Sequence, residues 1–160
     1  PPLPRGASLP LRAPHRRAVS PGSMMKVLPP ASPLPELGGD GFSIASWNVL
    51  LPNSVDGWWI YKYYRKHVPE EHREWPYRRE LMRSIILGAG ADIVCVQEAA
   101  AESFEDDFKF MADAGYEHVL HTKSRFRTAT FWKTSRFVLV SRHDKDRTLV
   151  TAFRPVGEGR

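Results

Sequence analysis

The stretch Ala91-Asp92-Ile93-Val94-Cys95-Val96-Gln97-Glu98-Ala99 sets the tightest limit on what this chain can fold into. Residues 93–96 form an unbroken apolar run, which reads as a strand buried on both faces. Such a strand needs a sheet around it and a packed layer on each side. The run stops at Gln97-Glu98, a polar pair where the chain leaves the sheet. A carboxylate in that position is carried by rigid scaffold yet faces solvent, which suits a metal ligand.

Residues 42–50 read as a second strand, with Phe42, Ile44, Ser46 and Asn48 on one face. This strand also ends in a polar residue. Asn48 offers a side-chain carbonyl, a neutral oxygen ligand. One carboxylate from Glu98 and one amide oxygen from Asn48, completed by water, make a candidate Mg²⁺ site.

The connection over residues 51–75 is long and aromatic, with Trp58, Trp59, Tyr61, Tyr63 and Tyr64. Long loops in compact domains are often functional. Two readings stay open: the rings stack nucleic-acid bases, or the tryptophans fold the loop back onto the core. A helix is predicted from Pro76, a residue favoured in the first turn. Its apolar stripe is Tyr77, Leu81 and Ile85, with Met82 and Ile86 beside it, and Gly88 and Gly90 end it. Ser103 and Asp106 have the spacing of a capping box with Asp in the acidic position. They open a second helix with Phe104, Phe108 and Met111 on its apolar face, closed by Gly115. Strands are predicted over residues 116–122, 128–133, 136–141 and 148–153, with Asp144-Lys145-Asp146 as a hairpin turn. This order predicts a mixed sheet with helices packed on it.

Three motifs in order carry a family resemblance: Ser46-Trp47-Asn48-Val49-Leu50, then Trp75-Pro76-Tyr77-Arg78-Arg79-Glu80-Leu81, then residues 91–98. Together they resemble the opening of the endonuclease/exonuclease/phosphatase family. The helix start at Trp75 and the segment over residues 129–137 are similar to its deadenylase-like branch, which includes nocturnin and Angel-type proteins. The resemblance implies an α/β (α+β) fold, a DNase I-like mixed-sheet two-layer β-sandwich flanked by helices, of which this chain holds the N-terminal part. It implies that Glu98 holds Mg²⁺ and that Asn48 helps to position the metal or a phosphate, with Gln97 supporting them. The implied activity is phosphodiester hydrolysis of RNA, in a 3′-exonuclease or deadenylase-like reaction. Phosphoinositide, sphingolipid or dinucleotide substrates on the same fold are the alternative, as is a truncated module that binds without catalysis. In the family the catalytic His, its Asp partner and an Asp-x-Asn segment lie downstream of the matched region, beyond Arg160. Ala99 stands where the family often has a bulkier apolar residue, and no Gly-Cys pair lies near Thr128.

Length allows one domain in 160 residues. The net charge of +5 sits in residues 1–35 of the N-terminal tail, where Arg5, Arg12, Arg16, Arg17 and Lys26 occur without an acid. The remainder is balanced, so the basic character is no evidence that the folded part binds nucleic acid. Ten of the 14 prolines also lie in the tail, which denies it helix and ladder hydrogen bonds. Residues 1–38 are therefore predicted to be a disordered extension and residues 39–160 the folded part. A basic, acid-free tail has the composition of an organelle transit peptide, although its prolines break any amphipathic helix. Translation starting at Met24, or a chain that is itself a fragment, would each account for Pro1. Cys95, the single cysteine, is read as core packing. The longest apolar stretch is too interrupted to span a membrane. An intracellular monomer is the expectation. His67, His72, His118 and His121 do not form a site by spacing, and Lys123, Arg125 and Arg127 form a basic run that either meets phosphate or is solvated.

Overall fold

The first strand, β1 (Ile44–Asn48), alternates cleanly between a face that packs and a face that does not. The structure is a computed structural model and describes residues 41–50, 64–123 and 125–157. The tail over residues 1–38, and Trp58, Trp59, Tyr61 and Tyr63 of the long connection, lie outside the described residues. After the connection come a single turn of helix, α1 (Glu70–Arg73), and the long helix α2 (Trp75–Ala89). Strand β2 (Ile93–Ala100) and helix α3 (Phe104–Asp113) follow. The chain then runs through β3 (Tyr116–Leu120), β4 (Phe126–Lys133), β5 (Phe137–Lys145) and β6 (Thr148–Pro155).

Helix α2 starts and stops where its sequence dictates. Pro76 occupies its first turn, where a missing N–H leaves no bond unmade. Gly90 ends it in the left-handed conformation at φ 58°, with its N–H donated to the Ile86 carbonyl. The buried stripe is Trp75, Met82 and Ile86, whereas Tyr77, Leu81 and Ile85 are only half-buried. The helix is turned because Trp75 docks under α3, donating its indole N–H to Asp107 Oδ1 at 2.6 Å. Helix α3 buries Phe104, Phe108 and Met111 as expected, and Asp107 as well. No side-chain cap bond forms at Ser103. Its hydroxyl instead lies 2.5 Å from Asp107 Oδ2, so the expected capping box gives way to a three-residue link between the two helices.

Four strands form one sheet in the order β1-β2-β4-β3. Strand β1 runs parallel to β2, and β4 lies antiparallel to both β2 and β3. One face carries Val49, Val94, Val96, Ala129 and Phe131 against the side chains of α2 and α3. The other face carries Ile93, Val119 and Trp132 against the β5–β6 hairpin, which contributes Phe137, Leu139, Leu149 and Phe153. The hairpin seats through ring contacts, Trp132 to Phe153 at 5.2 Å and Phe137 to Phe153 at 6.2 Å. Its turn is at Asp146 and Arg147, and Asp144, expected in the turn, lies inside β5. The arrangement is a mixed α/β fold with helices on one face of a mixed sheet and antiparallel strands on the other. Between the sheet and the hairpin lies an open cleft of about 730 Å³, with Phe42, Ile44, Ile93 and Cys95 on one wall and Phe137, Thr151 and Phe153 on the other.

Asp92 pins the end of the sheet where β2 begins. It is 4% exposed and accepts from the Ser43 N–H at 2.9 Å, the Ser43 hydroxyl at 3.0 Å and Arg136 Nη1 at 2.9 Å. Lys133 stands 3.4 Å away. Burial by itself would raise this carboxyl's pKa. The Ser43 hydrogen bonds and the Lys133 charge outweigh that effect and hold it below the usual carboxylate range. No helix among the described residues is long and apolar enough to cross a membrane.

Candidate functional site

The carboxyl ends of β1 and β2 lie side by side because the two strands are parallel, with Asn48 opposite Gln97 in the register. Regular alternation would send Glu98 to the helix face with Val94 and Val96. It does not go there. The pairing of β2 with β4 slips between Val96 and Ala99, so two residues, Gln97 and Glu98, face one. This is a β-bulge, and Glu98 takes φ 60° within it. A glutamate at positive φ is sterically disfavoured and persists only where its surroundings impose it. The bulge turns the Glu98 carboxylate towards the side chain of Asn48, whose Nδ2 donates to Glu98 Oε1 at 2.9 Å.

Asn48 is held in turn. Its Oδ1 accepts the Leu50 N–H at 2.9 Å, and Leu50 also lies in the left-handed region, at φ 52°. The Val49 N–H continues the ladder to the Gln97 carbonyl at 2.9 Å. Sequence reasoning paired Asn48 with Glu98, and the structure brings the two together. It also shows how: Asn48 reaches the carboxylate through its amide nitrogen, and its oxygen keeps one lone pair beyond the Leu50 bond. Gln97 does not bond to either member of the pair through its side chain and donates instead to the Ser46 hydroxyl at 3.1 Å.

The free donor set is therefore hard oxygen. No described residue donates to Glu98 Oε2, and the described residues contain no group of three or more His, Cys, Asp or Glu that could hold an ion. Such a set suits a hard cation that keeps several waters and binds through one or two carboxylates plus substrate phosphate.

The remaining candidates fall elsewhere. His118 packs against Phe104 and Phe131, with ring centroids at 5.0 and 5.6 Å. His72 stacks on Tyr77 at 4.2 Å, and His67 is exposed. His121 is buried beyond the end of β3, with Nε2 3.9 Å from Asp144 Oδ1. Asp144 is held below the usual carboxylate range, chiefly by hydrogen bonding from Arg142. Cys95 faces the cleft, and burial pushes its thiol up despite a hydrogen bond with Thr130. The strand register sets Arg127 opposite Ala99, beside the bulge.

One contact was missed from sequence. Arg78, the first arginine of the Tyr77-Arg78-Arg79 motif, donates from Nη2 to the carbonyls of Val49 and Leu50 at 2.5 and 2.7 Å. The motif signals a helix start, but nothing local says that its arginine crosses to the turn after β1.

Residues 45–157 match the model of the endonuclease/exonuclease/phosphatase family. The chain belongs to that family. A CCR4-Not complex 3′-5′-exoribonuclease subunit, Ccr4 of Schizosaccharomyces pombe, is 34% identical over 117 residues, 65% of this chain and 16% of that protein. Among solved structures, ANGEL2, described as a 2′,3′-cyclic phosphatase, matches with a TM-score of 0.61 at 21% identity, covering 71% of this chain and 37% of its own. The human nocturnin catalytic domain matches with a TM-score of 0.53 at 18% identity, covering 74% of this chain and 46% of its own. The chain thus spans less than half the length of each of these relatives. The deadenylase-like branch anticipated from the Trp75 helix start is the one these relatives represent.

Proposed function

We propose that these residues form the N-terminal part of a Mg²⁺-dependent phosphodiesterase that hydrolyses RNA from its 3′ end. The observation that carries this reading is the Glu98 carboxylate, turned out of the sheet by a bulge at positive φ and held at one oxygen by Asn48. Strain of this kind is tolerated where geometry matters more than stability. Support for RNA as substrate comes from the exoribonuclease relative, matched at 34% identity.

In this reading Glu98 Oε2 holds the cation, and Asn48 fixes the carboxylate rotamer through Oε1. A bound Mg²⁺ supplies charge to offset that building on the phosphoryl and leaving oxygens. Asn48 Oδ1 has one lone pair that would accept a hydrogen bond from a water at the site. Arg127 pairs with Ala99 beside the bulge, and in this reading it would meet substrate phosphate. The proton transfers are assigned to groups outside residues 41–157. A second reading keeps the site and changes the scissile group to a terminal 2′,3′-cyclic phosphate, and the ANGEL2 match favours it.

The test uses the intact protein with oligoadenylates ending in a 3′-hydroxyl or a 2′,3′-cyclic phosphate. Metal stabilisation of phosphoryl transfer is worth several kcal/mol, so Glu98→Gln should lower turnover by roughly 10²–10⁴ at limiting Mg²⁺, with part recovered at high Mg²⁺. Asn48→Ala should cost less. Wild-type turnover by Glu98→Gln across a Mg²⁺ titration would remove Glu98 from the metal site. Selective turnover of the cyclic-phosphate ends would favour the second reading.

A further inference from the structure

Helix α2 carries a residue whose contacts lead to Glu98 without touching it. Arg78 Nη2 bridges the Val49 and Leu50 carbonyls at 2.5 and 2.7 Å. Those two residues follow Asn48 directly. The Leu50 N–H returns to Asn48 Oδ1, and Asn48 Nδ2 continues to Glu98 Oε1, each at 2.9 Å. A leucine at φ 52° does not hold that conformation unaided. Two charge-assisted bonds from one planar guanidinium are suited to hold it.

The placement of Arg78 is costly for a residue that only packs. Its guanidinium lies over the Trp75 ring, 5.5 Å from the centroid. It helps to line a pocket of about 120 Å³ with Trp47, Val49 and Met82. Nη1 is buried and has no partner among the described residues. Burying an unfilled donor on a cation is unfavourable, and an apolar chain of the same length would line the pocket without that cost.

We propose that Arg78 is a positioning residue for the Asn48–Glu98 pair. It fixes the turn at residues 49–50, so that Asn48 holds Glu98 Oε1 and leaves Oε2 for the cation. The inference rests on the reading of Glu98 as a metal ligand.

The experiment measures Mn²⁺ binding to the intact protein, by loss of the free-ion electron paramagnetic resonance signal, in a double-mutant cycle of Arg78→Met and Asn48→Ala. Groups that orient a metal ligand typically change affinity 10–100-fold, so each single variant should weaken binding by roughly tenfold. Arg78→Lys, which keeps the charge but not the planar fork, should recover part of the loss. In the Asn48→Ala background Arg78→Met should add less than about twofold, because both act through one link. A full further tenfold there would show that Arg78 does not act through Asn48, and would overturn the proposal. So would unchanged Mn²⁺ affinity in Arg78→Met while Glu98→Gln abolishes binding. If Arg78→Met fails to fold, Arg78→Lys carries the same cycle with the same two refuting outcomes. Wild-type Mn²⁺ affinity in Glu98→Gln is a different failure: it removes the metal reading itself, whatever Arg78 does.

Discussion

Replacing Glu98 by glycine and by alanine separates the strain at this residue from its chemistry. Glu98 sits at φ 60°. A left-handed backbone costs an L-residue about 1–2 kcal/mol, and glycine escapes this. Glycine loses about 0.5–1 kcal/mol to alanine in ordinary strand positions, through chain entropy. Both variants lack the carboxylate and both lose the Asn48 hydrogen bond, so those losses cancel between them. The midpoints of the two ranges leave Glu98→Gly more stable than Glu98→Ala by about 0.75 kcal/mol. That reverses the order expected at an unstrained strand position. Urea unfolding of the intact protein reads it directly. With a slope near 2 kcal/mol per molar urea, the unfolding midpoints should differ by roughly 0.4 M. Neither variant should turn over substrate. Equal slopes with Glu98→Ala the more stable would show that the bulge places no strain on Glu98, and the strain argument for the site would fall.

Three further outcomes are expected. Asp92→Ala leaves Ser43, Lys133 and Arg136 without their shared acceptor, and since both cations are partly exposed (30% and 41%) the cost should be about 2–3 kcal/mol in urea unfolding, below the value for a fully buried pair. The fold lowers the Asp92 pKa from 3.8, so its contribution is complete above that pH and is lost as pH falls through the folded value; Asp92→Asn should flatten the acid limb of stability between pH 5 and 2, and an unchanged limb would contradict this. Trp75→Phe removes the indole donor to the buried Asp107, which keeps only the Ser103 hydroxyl among the contacts described above; a loss of about 1–2 kcal/mol in thermal unfolding is expected, and no loss would show that the link between the helices is idle. The raised Cys95 pKa predicts slow alkylation at pH 8 in the native protein and fast alkylation in urea, and equal rates would refute it.

Much of the frame is written locally. Pro76 and Gly90 mark the ends of α2 by their backbone chemistry alone, and the apolar run over residues 93–96 announces an interior strand. That the polar ends of β1 and β2 lie side by side was also legible, because two such strand ends become neighbours once the strands run parallel, although the register itself sets Asn48 opposite Gln97. What the sequence hid depends on distant partners. The bulge at Gln97 and Glu98 exists only against β4, and no feature of residues 97 and 98 declares it. The rotation of α2 follows from a bond between Trp75 and Asp107, which lie far apart in the chain. Ser103 has the look of a helix cap, yet its hydroxyl is claimed by an aspartate one turn on. Arg78 reads as a surface charge on a helix until β1 is folded beneath it. The approach of Asp144, a residue of the hairpin, to His121 is likewise set by the fold and not by local sequence.

The two ends of β2 have separate duties. Asp92 fastens the sheet at one end, and the half-buried Glu98 sits in the bulge at the other, about 20 Å away at the usual rise of a strand. Changes at sites so far apart, with no shared partner, usually combine independently. A lineage can therefore trade the Ser43, Lys133 and Arg136 cluster for another fastening without retuning the Glu98 end. An engineer can likewise raise thermal tolerance at one pole and vary the surroundings of Glu98 at the other, in parallel libraries that need not be crossed until the last round.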